Sequence, residues 1–437
     1  MTQSSTQQDS AGQNSTQQDA TGAGGPGAAS AAVAGGERTA GPLAGVTVLE
    51  VGVFIAGPYA TMQLADMGAR VIKIETPGSG DSLRASGPFL EGHSSPFLRL
   101  NRNKESIVLD LKSDEGKAAL RALLAEADVF VENLRPGSLT KMGFGYDDLK
   151  DEFPGLVYAS ASGWGQDGPL SPLAGLDIMA QARSGLMSIT GFPDQPPAKV
   201  GVPISDLTTA LYMALGIVSA LHERKDSGRG QYLDVSLFES AVSLAVWEAG
   251  SYFGAGVVSR PNGSAHQAQA PYQAVLAKDG HVTIGANAQA TWKRFCQAFD
   301  FADLEDHPKY AEPSLRMENR VALIAVIEDR LRDTTVDEVL EEMNRVGVPA
   351  APINDYEQVF TDEHLHAREY FWQAPHPELG EIAQLGNPMR FSRSSMTRGN
   401  AGPALGQDTE RVLAEIAGKS DGAAGGAARA DETKAEG

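Results

Sequence analysis

The sequence predicts an α/β protein: a large domain on a doubly wound parallel sheet, with a smaller α/β domain beside it. Three observations lead there. Short apolar runs of strand length alternate with helical stretches from Pro42 to Leu237, and strands alternating with helices at this spacing build parallel sheets. At 437 residues and 42% apolar content, the chain can fill two compact domains or one large domain with an insertion. From Pro271 the pattern changes, which sets off residues 272–345 as the smaller unit.

Val46–Val51 (VTVLEV) reads as the first strand and Pro58–Met67 as the first helix. Arg70–Glu75 (RVIKIE) and Ser106–Leu111 (SIVLDL) follow as strands, and Ser113 offers an N-cap to a helix reaching Glu126. Asp128–Glu132 and Leu156–Ser160 are further strand-length runs. Ligands of such sheets bind outside the carboxyl ends of the strands. That singles out the loops Gly52–Pro58, Thr76–Asp81, Asn133–Gly137 and Ser162–Pro169. A helix over Asp206–Arg224, too apolar to face water and so expected to be buried on most sides, leads through the turn SGRG to a strand at Tyr232–Leu237 and a helix from Glu239 to Phe253. Residues 40–258 thus form the first part of the large domain, and 259–271 an irregular connection. The small domain is expected to hold a strand at His281–Gly285 and helices at Thr291–Phe299, Arg316–Leu331 and Val336–Val346. Residues 346–417 return to the large domain and end in a helix near Asp408–Ala417. The tails, 1–38 and 418–437, carry almost no large apolar residue and are expected to be disordered.

Composition excludes several functions. With 56 acidic against 36 basic residues the net charge is −20, which disfavours nucleic acid or an anionic membrane as partner. The one cysteine, Cys296, permits no internal disulfide and fits a reducing compartment. No apolar run approaches the ~20 residues of a membrane span, and the amino terminus has no signal-peptide pattern. A soluble, cytoplasmic protein is the expectation. The match to G-x-G-x-x-G at Gly22, Gly24 and Gly27 has no preceding strand and contains Pro26, so it is no dinucleotide fingerprint. No nucleophile elbow or P-loop occurs. The histidines form no metal site: His364 and His366 read as a charged helix surface, and Cys296 within WKRFCQAF reads as core.

Asp206 has two readings. As an N-cap, it or Ser205 accepts the free amides of the helix's first turn. As a working group, it sits where the helix dipole and free N–H groups keep it ionised in a partly apolar pocket, and such a carboxylate is a nucleophile toward an activated acyl group. Spacing alone does not separate them. Asp194, in GFPDQPP, reads as a solvated turn residue, and Asp177 as the cap of a helix running to Met187.

Several segments occur together in a fixed order: LAGVTVLEVGVFIAGPYATMQLADMGARVIKIETPGSGD, NRNKESIVLDLKSDEGK, ADVFVENLRPGSLTKMGFGYDDL, SASGWGQDGPL, GLDIMAQARSGLMSITG, GVPISDLTTALYMALGIVSAL, SGRGQYLDVSLFES and PALGQDTERVL. From about Pro42 to Ile416 the chain resembles the class III CoA-transferases, the family of formyl-CoA and carnitine CoA-transferases. The resemblance implies a Rossmann-like large domain, an interlocked homodimer, and Asp206 as nucleophile. Acyl-CoA and a carboxylic acid are then the substrates, with no permanently bound cofactor and no metal. It also implies coenzyme A contacts at Ile55, Ala56, Thr76, Leu109, Asp110, Leu111, Lys112, Asn133, Leu134, Arg135, Lys141, Leu173, Ala174, Gly175 and Leu176. Arg135, Lys141, Lys112 and Arg84 are the candidate phosphate partners.

The chain departs from the formyl-CoA transferases in four places. Ile55 stands where they have Gln, Ser86 where they have Trp, and Thr76 where they have Arg. Only Gly263 stands for their tetraglycine loop. Formate and oxalate are therefore not the expected substrates; succinate as donor acid follows from the family alone. The rival within the same fold is a 2-methylacyl-CoA racemase. Such an enzyme needs a second base where this chain has Leu176, and an alkyl group accepts no proton. A non-catalytic acyl-CoA-binding protein is the rival from another class, and it would have no use for Asp206.

Overall fold

A computed structural model describes residues 40–418. The tail readings lie outside the described residues, apart from Gly418, which belongs to a helix at 409–418. The large sheet contains β1 (Thr47–Val51), β2 (Arg70–Glu75), β3 (Lys104–Val108), β4 (Val129–Glu132), β5 (Val157–Ser162) and β6 (Tyr232–Ser236). All pairs are parallel, in the order β3–β2–β1–β4–β5–β6. The order reverses between β1 and β4, the switch point where such sheets open a crevice.

Alternation along each strand feeds two cores, as period-two geometry requires. Val48, Val71, Val129, Val131 and Ala159 pack with α1 (Ala56–Asp66) and a long helix at Ile204–Ser227. Leu49, Ile72, Phe130 and Tyr158 pack on the opposite face with α2 (Asp114–Leu124) and Val412 of the last helix. Ser113 caps α2, its Oγ accepting the Gly116 N–H at 3.0 Å. Gly116 has no alternative there, because a Cβ would lie 2.0 Å from the Asp110 carbonyl oxygen. A short helix α3 (Asp177–Arg183) precedes the long one, α4 (Ile204–Ser227).

The strand β3 (Lys104–Val108) stops three residues into the run read as Ser106–Leu111, because its partner β2 ends at Glu75, opposite Val108. The helix read as Glu239–Phe253 is two, α5 (Leu237–Ser243) and α6 (Val246–Ala255). A second sheet is antiparallel and orders β7 (Tyr272–Leu276), β8 (His281–Gly285) and β9 (Ala350–Pro352) as β9–β8–β7. Its third strand comes from beyond residue 345. This sheet shares a core with Trp292, Phe295, Cys296, Ile327, Val339 and Met343, all fully buried. Cys296 is a core residue, and burial pushes its thiol up to about 12. A hairpin, β10 (Phe371–His376) and β11 (Gly380–Leu385), lies where the sequence reading has no element; Pro375 within the run obscures the strand signal.

The helix α4 corrects two expectations. It has 24 residues and is long and apolar enough to cross a membrane by length and composition, whereas the sequence reading found no run approaching that length. It packs instead along α1 and β5, burying Ala210, Met213 and Ile217 completely. Nor is it buried on most sides: Leu211 and Leu215 are 52% and 62% exposed.

Candidate active site

Parallel pairing puts the carboxyl ends of all six strands on one edge, and the loops of interest leave from it. At the switch point Asn133, just after β4, bridges to the loop after β1. Its Nδ2 donates to the Val53 carbonyl and its Oδ1 accepts the Val53 N–H, both at 2.8 Å. This side chain takes the place of ladder bonds where the two strands diverge. Gly57 at the start of α1 rests on it: a Cβ would sit 3.2 Å from the Asn133 amide. Ile55 and Ala56 form the amino terminus of α1, the first half-buried and the second buried.

Thr76 leaves β2, and Leu109, Asp110, Leu111 and Lys112 leave β3, with the Asp110 carboxylate accepting the Lys112 N–H at 3.0 Å. Leu134 and Arg135 follow Asn133, and Lys141 lies in the next turn. Leu173–Leu176 fold back onto the loop after β5. Trp164 Nε1 donates to the Ala174 carbonyl at 3.2 Å, and a Cβ on Gly163 would meet the Gly175 Cα at 2.6 Å. Topology and these contacts set the expected coenzyme A residues that directly follow β1 to β5 at one edge of the sheet, while Lys141 lies nine residues beyond the end of β4.

Lys112, Arg135 and Lys141 are exposed, with no ion-pair partner among the described residues. Arg84 is different. Its Nε and Nη2 donate to the two Glu75 carboxylate oxygens at 2.7 Å each, and its guanidinium lies 3.8 Å over the Phe97 ring. It is committed to a structural pair and leaves the set of phosphate candidates.

The crossover from β5 to β6 brings Asp206 to the same edge. At the far end of α4, Arg224 donates to Asp128 at 2.6 Å, just before β4. At the near end, the Thr209 hydroxyl donates to the Ser236 carbonyl at 3.4 Å, where β6 finishes. The helix starts at Ile204, so Asp206 is its third residue, and Pro203 at the cap position offers no side-chain acceptor. Asp177 supplies one from α3. Its Oδ1 accepts the N–H of fully buried Ser205 at 2.8 Å, while its Oδ2 accepts from Gln181 Nε2 at 2.7 Å. Gln181 Oε1 in turn accepts the Val200 N–H at 2.9 Å.

The two readings of Asp206 therefore separate. Capping of α4 belongs to Asp177, an acceptor from outside the helix. The half-buried Asp206 carboxyl accepts no hydrogen bond and meets no cation among the described residues. Burial, and then the nearby Asp177 charge, raise it to about 7. The first-turn amides do not hold it ionised, contrary to the sequence reading, because none of them donates to it. Leu176, just before α3, is 63% exposed and places only an alkyl group beside this pair. Asp194 is an exposed residue in a left-handed turn, φ 60°. His364 and His366 sit on a short exposed helix capped by Asp362.

Sequence reasoning missed a charged core under this edge. Glu50 of β1 receives Lys73 Nζ of β2 at 2.6 Å and Lys104 Nζ of β3 at 2.8 Å, and all three side chains are fully buried. Lys73 also reaches Asp81 at 2.9 Å. The signal was present: charged residues at equivalent positions of adjacent strands, in VLEV and IKIE, are out of place in sheet-core runs unless they pair.

The comparisons with known proteins agree with this geometry. The family model described as CoA-transferase family III matches residues 43–409. Succinyl-CoA:glutarate CoA-transferase of Homo sapiens is 37% identical over 88% of this chain and 88% of that protein. Succinyl-CoA–D-citramalate CoA-transferase of Chloroflexus aurantiacus is 35% identical over 88% of this chain and 96% of that protein. Among solved structures, a CAIB/BAIF family protein from Brucella suis superposes with a TM-score of 0.79 at 35% identity, covering 86% of this chain and all of that one. With a six-stranded parallel sheet of this kind and a family match spanning nearly all of the described residues, the chain belongs to CoA-transferase family III and is a class III CoA-transferase.

Proposed function

We propose that the enzyme moves CoA from succinyl-CoA to a second small dicarboxylate, with Asp206 as nucleophile. The observation that carries this is the Asp206 carboxyl itself, unpartnered and half-buried on the edge that gathers the expected coenzyme A residues. In the first step the carboxylate attacks the thioester carbonyl, giving an aspartyl–acyl anhydride and CoA thiolate. The thiolate attacks the aspartyl carbonyl, releasing the donor acid and leaving an aspartyl thioester of CoA. The acceptor carboxylate then displaces the thiolate to form a new anhydride. Attack of that thiolate on the acceptor acyl carbon forms the product and restores Asp206. The thioester's energy is kept throughout, so the site must exclude water. The pairing of diacids is supported by the relatives' names, which join succinyl-CoA to glutarate, D-citramalate or mesaconate. Lys112, Arg135 and Lys141 are assigned to the coenzyme A phosphates.

Quenching enzyme and succinyl-CoA with hydroxylamine is expected to leave a hydroxamate on the Asp206 peptide by mass spectrometry. An unmodified peptide with every donor of a panel, despite CoA binding, would sink the covalent route. The ionised form is needed for attack and the carboxyl sits at about 7, so kcat/KM for the donor should fall about tenfold per pH unit below that value. Asp177→Asn keeps an acceptor for the Ser205 N–H but removes a charge, and should move this limb to lower pH. A limb left in place would show that Asp177 does not set it.

A homodimer, interlocked as the family resemblance implies, belongs to the same reading. Leu211 and Leu215 of α4 and Trp247 and Phe253 of α6 are each half or more exposed, as large apolar residues at a protein–protein interface are. Sedimentation equilibrium at micromolar concentration should give twice the chain mass; a stable monomer would remove this part.

A further inference from the structure

Glu132 ends β4, immediately before the Asn133–Arg135 loop. Its side chain turns inward and is 6% exposed. One oxygen, Oε2, accepts the Leu134 N–H at 2.8 Å, so it holds the middle of that loop. Parallel register sets Ser160 of β5 beside it and Asp234 of β6 beyond, and Ser160 shares a hydrogen bond with its carboxyl. The titratable groups that face it are Asp234, Tyr158 and Tyr232, while β1 contributes only Val51 opposite. No cation pairs with it among the described residues. Burial first, and Asp234 in a smaller part, raise this carboxyl to about 7. Three residues on, Arg135 is exposed and makes no ion pair.

A buried carboxylate without a counter-charge is costly. Were Glu132 ionised, the loop's own guanidinium, three residues on and without an ion pair among the described residues, would be open to compensating it, and drawing it inward would take it from an anionic ligand. A neutral carboxyl avoids that competition and still accepts the Leu134 N–H. We propose that Glu132 is a positioning residue that works in its protonated form, fixing the Asn133–Arg135 loop and leaving Arg135 available to the phosphates of the acyl-CoA. This rests on the assignment of that loop to coenzyme A.

The test is calorimetric titration of the full chain with CoA across about pH 6 to pH 8.5. Wild-type affinity is expected to fall about tenfold over this range as Glu132 loses its proton. Glu132→Gln, which keeps the acceptor and cannot ionise, should hold the low-pH affinity throughout. The ligand's own phosphate ionisation is common to both proteins and cancels between them. Glu132→Ala should bind roughly fivefold or more weakly at every pH, since the loop loses its anchor. A Glu132→Gln profile that tracks wild type would overturn the inference, and so would unchanged binding by folded Glu132→Ala. If Glu132→Ala does not fold, the Gln variant decides alone. Arg135→Ala separates the premise: if it leaves CoA affinity intact, the loop assignment fails whatever Glu132 does.

Discussion

Asp206→Asn is expected to abolish CoA transfer and, at neutral pH, to raise the melting temperature. The first effect follows from removing the carboxylate through which every covalent intermediate of the proposed route forms; losses of ~10⁴-fold or more are usual when a covalent nucleophile is deleted. The second follows from the site's electrostatics. The carboxyl sits at about 7, raised from 3.8 by burial and by Asp177. A carboxyl whose folded value is raised binds its proton more tightly in the folded state, so the fold loses stability as pH rises from about 4 to about 7. Above that range the whole penalty is present, and the neutral, nearly isosteric amide escapes it. The full shift would correspond to about 4 kcal/mol, and partial hydration brings the expectation to roughly 1–3 kcal/mol. The stability difference between variant and wild type should close as pH falls toward 4. Thermal unfolding at two pH values and a transfer assay check both halves. An inactive variant without the pH-dependent gain would mean that Asp206 is better solvated than its surroundings indicate; an active one would end its role as nucleophile.

The contrast between Asp206 and Asp177 shows where sequence reasoning stops. Both stand at the start of a helix, and both fit the composition of a cap. The deciding fact is a hydrogen bond between Asp177 and Ser205, 28 positions apart, and no local pattern contains it. The strands were legible because apolar alternation is a property of neighbouring residues, and their parallel arrangement because helices intervene. The switch point was not, since strand order depends on which edge each crossover joins. The resemblance located the loops, yet charge alone set Arg84 among the phosphate partners when Glu75 holds it. Glu132 was passed over because a single acidic residue ending a strand looks like a boundary. That no cation among the described residues pairs with it is visible only once β5 and β6 are laid beside it.

Glu50→Gln should be the most destabilising single change under the candidate site. Burial alone would raise the Glu50 carboxyl, but Lys104 and Lys73 outweigh it and hold the group at about 2. Its folded value therefore lies below its unfolded one, so its stabilising contribution is complete above about pH 4.5 and is lost as pH falls toward 2. Neutralising it leaves two wholly buried ammonium groups facing an amide and each other, and only Lys73 keeps a carboxylate, that of Asp81. Breaking a buried pair in this way costs about 3–5 kcal/mol. Lys104, which burial already lowers to about 8 against the pull of Glu50, should then give up its proton near neutral pH. Adding Lys104→Met to Glu50→Gln should accordingly recover part of the loss, and denaturant melts of the single and double variants measure that coupling. The network also reaches the crevice. Lys73 donates to the Gly52 carbonyl at 2.7 Å, and Asp81 accepts the N–H of Phe54 at 3.1 Å. Phe54 holds a left-handed backbone, φ 59°, a conformation that a bulky side chain keeps only when its surroundings impose it. Weakening the network should let that residue relax and shift Ile55 beside it, raising KM for the acyl-CoA in any variant that still folds. Strictly additive energies, with KM unchanged, would show that the buried charges support the sheet alone and leave the site untouched.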